Sequence, residues 1–177
     1  LRATSILSLT LVSLGQHQQA RQLLDDALTR SRRVLGEDHP YTLRAGSLLS
    51  LTLECLGEHQ EARQLQNDAL TRSRRVLGED HPDTLRAASL LGLTLGSLGQ
   101  HQQARQLQND TLTRLRRVLG GDHTDTLTSA CRMAADLREL GEYEQARALD
   151  EDTLARRHRV LGDDHPVFLD GSRALLE

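Results

Sequence analysis

Histidine, cysteine, arginine and paired acids are the residues of this 177-residue chain that could do chemistry, and most of them recur at fixed places. Seven of the eight histidines fall into two series, His17, His59 and His101, and His39, His81, His123 and His165; only His158 lies outside them. A metal ion needs several ligands converging on one point. Histidines spaced one per repeat along a chain are spread out instead, so packing and capping are their expected roles. The acid pairs Glu37-Asp38 and Glu79-Asp80 have the residue types of a general acid–base couple. They also sit where helices begin, and carboxylates favour helix N-termini. Neither Cys55 nor Cys131 has a base in its motif, and a lone thiol on a helix reads as a small packed side chain. The chain has no lysine and no Gly-x-x-x-x-Gly-Lys-Ser/Thr loop, which excludes the usual phosphate cradle. No catalytic residue, metal site or cofactor is expected, so the chain does not read as an enzyme.

What positions these residues is a repeat. The stretch Val76-Leu77-Gly78-Glu79-Asp80-His81-Pro82-Asp83-Thr84-Leu85 returns at 34–43, 118–127 and 160–169, a step of 42 residues. A second Leu-Gly mark, at 14–15, 56–57, 98–99 and 140–141, divides each unit into two helices. In the first helix of the second unit, apolar residues at 43, 45, 48, 49, 51, 53 and 56 form one broad face. Gly57 ends that helix in a left-handed conformation. The second helix carries Ala62, Leu65, Ala69, Leu70, Val76 and Leu77, with Arg72, Arg74 and Arg75 near its negative end and Gly78 after it. Asp80 is then expected to cap the next helix, with Pro82 in its first turn.

The predicted helices are 1–14, 17–35, 41–56, 59–77, 83–98, 101–119, 125–140 and 143–161, with a ninth at 167–176. They form four pairs, 1–36, 37–78, 79–120 and 121–162, in one continuous unit. Residues 15–56 and 57–98 differ at only 9 of 42 positions, so the few differences become informative. Gly46/Ala88, Ser50/Gly92 and Glu54/Gly96 are spaced by four and line one helical stripe. In the third turn Gly121 and Thr124 replace acid and proline, which predicts a looser connection. The arginine pairs Arg32-Arg33, Arg74-Arg75 and Arg116-Arg117 predict solvated ion-pair ladders with the acidic turns.

The charge balance, 22 basic against 25 acidic residues, lacks the basic excess of a nucleic-acid binder. Only Tyr41, Tyr143 and Phe168 are aromatic, too few for base stacking. No apolar run approaches the roughly 18 residues of a membrane span. Cys55 and Cys131 lie in non-adjacent repeats, beyond disulfide reach, which points to a reducing, cytoplasmic setting. Leu1 opens the chain in mid-pattern without an initiator Met, as a piece of a longer protein would.

The units resemble tetratricopeptide repeats of the long form found in kinesin light chains. The resemblance rests on the small residues Ser8, Ser50, Gly92 and Ala134. It rests also on the turns Gly15-Gln16-His17, Gly57-Glu58-His59, Gly99-Gln100-His101 and Gly141-Glu142-Tyr143. Ala20, Ala62, Ala104 and Ala146 follow, then Ala27, Ala69, Thr111 and Thr153 seven later. Similarity extends to the repeat region of actinobacterial NB-ARC–tetratricopeptide proteins, signalling or defence switches in which the repeats serve as sensor or scaffold. The resemblance implies an all-α, right-handed α-solenoid that binds a protein or peptide in a concave groove.

By the same resemblance the first helix of each pair lines that groove. It places Arg44, Ser47, Leu51, Glu54 and Cys55 there, then Arg86, Ser89, Leu93, Gly96 and Ser97. Thr128, Cys131, Arg132, Ala135, Arg138 and Glu139 complete the set. The family's Asn-Asn pair is replaced by Ser5-Ile6, Ser47-Leu48, Ser89-Leu90 and Cys131-Arg132, which removes an amide that would grip a peptide backbone. An acidic, partly apolar ligand is expected, led by Arg44, Arg86, Arg132 and Arg138. The alternative is self-association through exposed solenoid ends, where Leu1, Leu7 and Leu11 lack a preceding helix.

Overall fold

The structure, a computed structural model, describes residues 2–161. They form eight helices: α1 Arg2–Ser13, α2 His17–Leu35, α3 Pro40–Cys55, α4 His59–Leu77, α5 Pro82–Ser97, α6 His101–Leu119, α7 Thr124–Glu139 and α8 Tyr143–Leu161. There is no strand among the described residues. The even-numbered helices have the predicted bounds, while the later odd-numbered ones start and stop one residue early. The helix expected at 167–176 lies outside the described residues. No helix among them is long and apolar enough to cross a membrane.

The helices end where the glycines demand it. Leu56 closes α3, and Gly57 follows at φ +76°. That left-handed step lets the Glu58 N–H reach back to the Leu53 carbonyl at 2.9 Å and the Gly57 N–H to Glu54 at 3.0 Å. The starts correct the sequence reading. His81, not Asp80, caps α5: its Nδ1 accepts from the Asp83 N–H at 3.1 Å. His39 and His123 cap α3 and α7 in the same way. The reason is position: His81 directly precedes the first helical residue, with extended backbone (φ −68°, ψ 136°) that aims its ring at the second helical N–H, whereas Asp80 lies one residue further out. Asp80 is left free to turn outward to Arg114 and Arg117.

The third turn keeps the geometry of the second. His123 (φ −70°, ψ 141°) repeats the backbone of His81 (φ −68°, ψ 136°). Thr126 Oγ1 donates to the Gly120 carbonyl at 2.8 Å, as Thr42 does to Gly36. The space left by a side chain missing at Gly121 is taken by the Arg156 guanidinium, 2.6 Å from where a Cβ would stand. The histidine cap is common to all three turns, and the filling arginine is particular to the third.

Each helix packs on its neighbours in sequence, and α1, α3 and α5 also touch the next odd helix; among the described residues the even helices make no such contact. The odd helices are therefore the inner row of a curved array. The apolar seam runs between the rows. One cluster joins Leu24 and Leu28 of α2, Ala45, Leu49 and Leu53 of α3, and Ala62 of α4. The next joins Leu70 of α4 to Ala87, Ala88, Leu91 and Leu95 of α5 and Ala104 of α6. Both clusters straddle a repeat boundary, so no hairpin completes its core alone.

A buried polar chain runs beside this seam. Gln66 donates to Ser50 Oγ at 3.1 Å and accepts from Thr94 Oγ1 at 2.7 Å, tying α4 to α3 and α5. One repeat on, Gln108 donates to the Ser89 carbonyl at 3.0 Å and accepts from Ser129 at 3.2 Å. Gly92 makes room for that: a Cβ there would stand 2.5 Å from Gln108 Nε2. Substituting Gly92→Ala is therefore expected to cost about 1–3 kcal/mol in urea unfolding despite alanine's better helix propensity. Adding Gln108→Leu, the residue type of Leu24 at the matching place, should recover part of the loss.

Candidate partner-binding groove

The inner row places the groove candidates on three helices. On α3, Arg44 is exposed and has no ion pair among the described residues. Ser47 donates to the Leu43 carbonyl at 3.0 Å, and Leu51 is half-buried. Glu54, also half-buried, lies 3.0 Å from His59 Nδ1. Cys55 is exposed, and both cysteines are free.

On α5, Arg86 is already engaged, donating to Asp83 at 2.7 Å and to Asp125 of α7 at 2.8 Å. The Asp125 contact, more than Asp83, holds its guanidinium above the usual arginine range. Ser89 is buried, Leu93 is half-buried, and exposed Ser97 donates to the Leu93 carbonyl. On α7, Thr128 and Cys131 are half-buried, and Arg138 is paired with Asp150 of α8. Arg132 is half-buried and donates from Nη1 to Ser89 Oγ at 2.8 Å, a hydrogen bond that joins candidates from different repeats. Burial pushes its pKa down, opposed by Asp125 and Cys131. Of the four arginines read as leading the groove, two are neutralised inside the chain and two are not.

Asp136 was not among the candidates. It is buried on α7, with His101 Nδ1 3.5 Å away. Burial raises its carboxyl pKa, and His101 pulls in the opposite sense. Gly96 admits it, since a Cβ there would lie 2.8 Å from Asp136 Oδ1. The sequence signal was an aspartate at the place of Thr52 and Thr94, opposite a glycine at the place of Glu54.

The outer face carries the ladders. Asp38 is held by Arg72 at 3.3 Å and Arg75 at 2.6 Å, which keep its carboxyl below the usual range, Arg75 foremost. Asp80 is held by Arg114 and Arg117, and Asp122 by Arg156 and Arg159. The turn acids thus serve as ion-pair partners rather than as an acid–base couple. No group of three or more His, Cys, Asp or Glu among the described residues is placed to hold a metal ion. Leu7 on α1 is exposed and Leu11 half-buried.

Paired helices on a 42-residue period, with one row inside the other, define an α-solenoid of helix–turn–helix repeats. The chain belongs to the tetratricopeptide repeat family: one family model of that description matches residues 1–74 and 47–117, and a second matches 126–167. The fold is shared with a Podospora anserina protein assigned as a kinesin light chain with nearly identical TPR-like repeats. That structure aligns at TM-score 0.79 and 25% identity, over 96% of this chain and 81% of the other. BtubC (BKLC) from P. vanneervenii aligns at TM-score 0.76 and 18% identity, over 92% of this chain and 65% of its own length. A comparison with curated proteins gave no match.

Two outcomes follow from these charges. For Asp136, a folded pKa above the ordinary 3.8 means the native state binds the proton more readily, so its contribution to stability falls as pH rises from 3.8 through the raised value. Asp136→Asn should remove that decline in pH-dependent melting curves and be no less stable than wild type at pH 7. For the ladder, Asp80→Asn should cost at most about 1 kcal/mol, an effect that shrinks in ~1 M salt because the side chains are largely exposed.

Proposed function

We propose that the chain is a protein-interaction scaffold whose inner face takes an acidic, partly apolar segment of a partner protein. Tetratricopeptide repeats mediate protein–protein interactions as a family, which supports the general class. The particular reading is carried by one observation: two arginines on the inner row, Arg44 and Arg132, have no carboxylate partner among the described residues. Half-buried Leu51 and Leu93 lie on the same row. Cation and apolar surface together favour a segment that mixes acids with aliphatic side chains. In the intact polypeptide such a scaffold would serve as the sensing or assembling part of a cytoplasmic signalling protein.

The test is a charge reversal with an outer-face control. A fluorescein-labelled octapeptide of alternating Leu and Glu is titrated against wild type, Arg44→Glu and Arg75→Glu. Arg44→Glu should weaken binding by roughly tenfold, about 1.4 kcal/mol, with Arg75→Glu close to wild type. Equal losses from both reversals would mean only a general attraction of charge, and the groove assignment would fall.

A further inference from the structure

The first arginines of the outer ladder stand apart from the rest. Arg72 and Arg75 of α4 hold Asp38 from the unit before them. Arg114 and Arg117 of α6 hold Asp80 in the same way, and Arg156 and Arg159 of α8 hold Asp122. Arg30 and Arg33 occupy the matching places on α2. Both are exposed, and neither has an ion pair among the described residues.

A cavity of about 330 Å³ lies beside them, walled by Leu23, Ala27, Arg30 and Val34 of α2 with Thr4 of α1. One repeat on, Leu65, Ala69 and Arg72 form the same wall. There Leu28, Arg32 and Glu37 of the preceding unit press against it and leave only about 10 Å³. In the third unit Leu70, Arg74 and Glu79 press against Thr111 and Arg114, again leaving about 10 Å³. Leu7 of α1 tells the same story. It is 50% exposed, whereas Leu49 at the matching place is 2% exposed and clusters with Leu28.

The far end of the array shows the complementary part. Leu28, Leu70 and Leu112 are at most 4% exposed, while Leu154, their counterpart on α8, is 48% exposed. Asp163 and Asp164 follow α8 in sequence, at the places of Glu37-Asp38 and Glu79-Asp80.

We propose that a second copy of this chain docks the Leu154 face of its α8 on the α1–α2 end, setting Leu154 against Leu7 and offering Asp164 to Arg30 and Arg33. The contact repeats, between molecules, the one that joins unit to unit within the chain. Acid against arginine and leucine against leucine is the pairing that each internal boundary already uses. The two surfaces differ, so the arrangement is head-to-tail and grows into open chains instead of closing at two. It involves the ends and outer edge of the solenoid and is independent of what the inner row binds.

Sedimentation velocity at rising concentration of the 177-residue chain reads this directly. The weight-average mass of wild type should climb past the dimer without a plateau, and climb less in ~1 M salt. The double reversal Arg30→Glu/Arg33→Glu should hold the chain monomeric, and so should Leu154→Glu, each with a melting temperature near wild type because these side chains are exposed. Arg32→Glu, on exposed α2 surface outside the cavity, should assemble as wild type does. Mixing the two monomeric variants should give a 1:1 complex that stops there, since one keeps the α8 face and the other keeps the α2 end. A wild-type chain that stays monomeric at every concentration would overturn the proposal. So would a dimer plateau that Leu154→Glu leaves intact, the mark of a symmetric contact, or a failure of the mixed variants to pair.

Discussion

Everything in this molecule depends on helices approaching closely at a residue with almost no side chain. Ala20, Ala62, Ala104 and Ala146 are at most 1% exposed, each in the second turn of an even helix. There the helix presses against the preceding odd helix and brings the leucines of both into contact. A bulkier residue would hold the pair apart, and the seam behind it would open. Because the apolar clusters cross repeat boundaries, the close approach in one hairpin is useful only when the next is in place. Stability therefore accumulates along the array rather than around a centre.

Two kinds of polar contact decorate that seam, and their magnitudes set their roles. The aspartate–arginine ladders are numerous and regular, but they are largely exposed and individually worth at most about 1 kcal/mol. The glutamine contacts are few and buried, and leaving either partner unsatisfied costs about 1–3 kcal/mol. Gln66 is held by Ser50 on one side and Thr94 on the other, so a one-turn slip of α5 would break its bond to Thr94 and a slip of α3 its bond to Ser50. The ladders make the outer face soluble and ordered; the glutamines fix which turn of one helix meets which turn of the next.

The helices were legible in the sequence because periodicity, glycine and proline all speak at the same places. Leu77-Gly78 and Leu56-Gly57 mark ends that the backbone then needs, with Gly57 and Gly78 at positive φ. The cap is less legible because a short acid is the commoner choice, and the residue that caps is set by where the helix begins, one position earlier than periodicity places it. The groove was less legible. Nothing in spacing tells that Arg86 meets Asp125, 39 residues on, or that Arg138 meets Asp150 on the following helix. Side-chain neutralisation across helices is a property of the packed array, and a list of inner-row arginines contains no such information.

The differences between nearly identical repeats have a logic that only the packing displays. Two of the three changes on the stripe, Ser50/Gly92 and Glu54/Gly96, are each matched by another. Ser50 meets Gln66, whereas Gly92 yields its space to Gln108. Glu54 meets His59; in the next unit Gly96 vacates that place, and Asp136 arrives from α7 beside His101. Compensation of this kind is what a close-packed interior enforces, since a lone change would leave a clash or an unpaired polar group. Arg132 breaks the rule. Its replacement of an aliphatic residue brings a positive charge into partial burial, and its partner Ser89 is no matching change, being a serine as Ser5 and Ser47 are. That hydroxyl carries no charge, and among the described residues the guanidinium has no ion-pair partner.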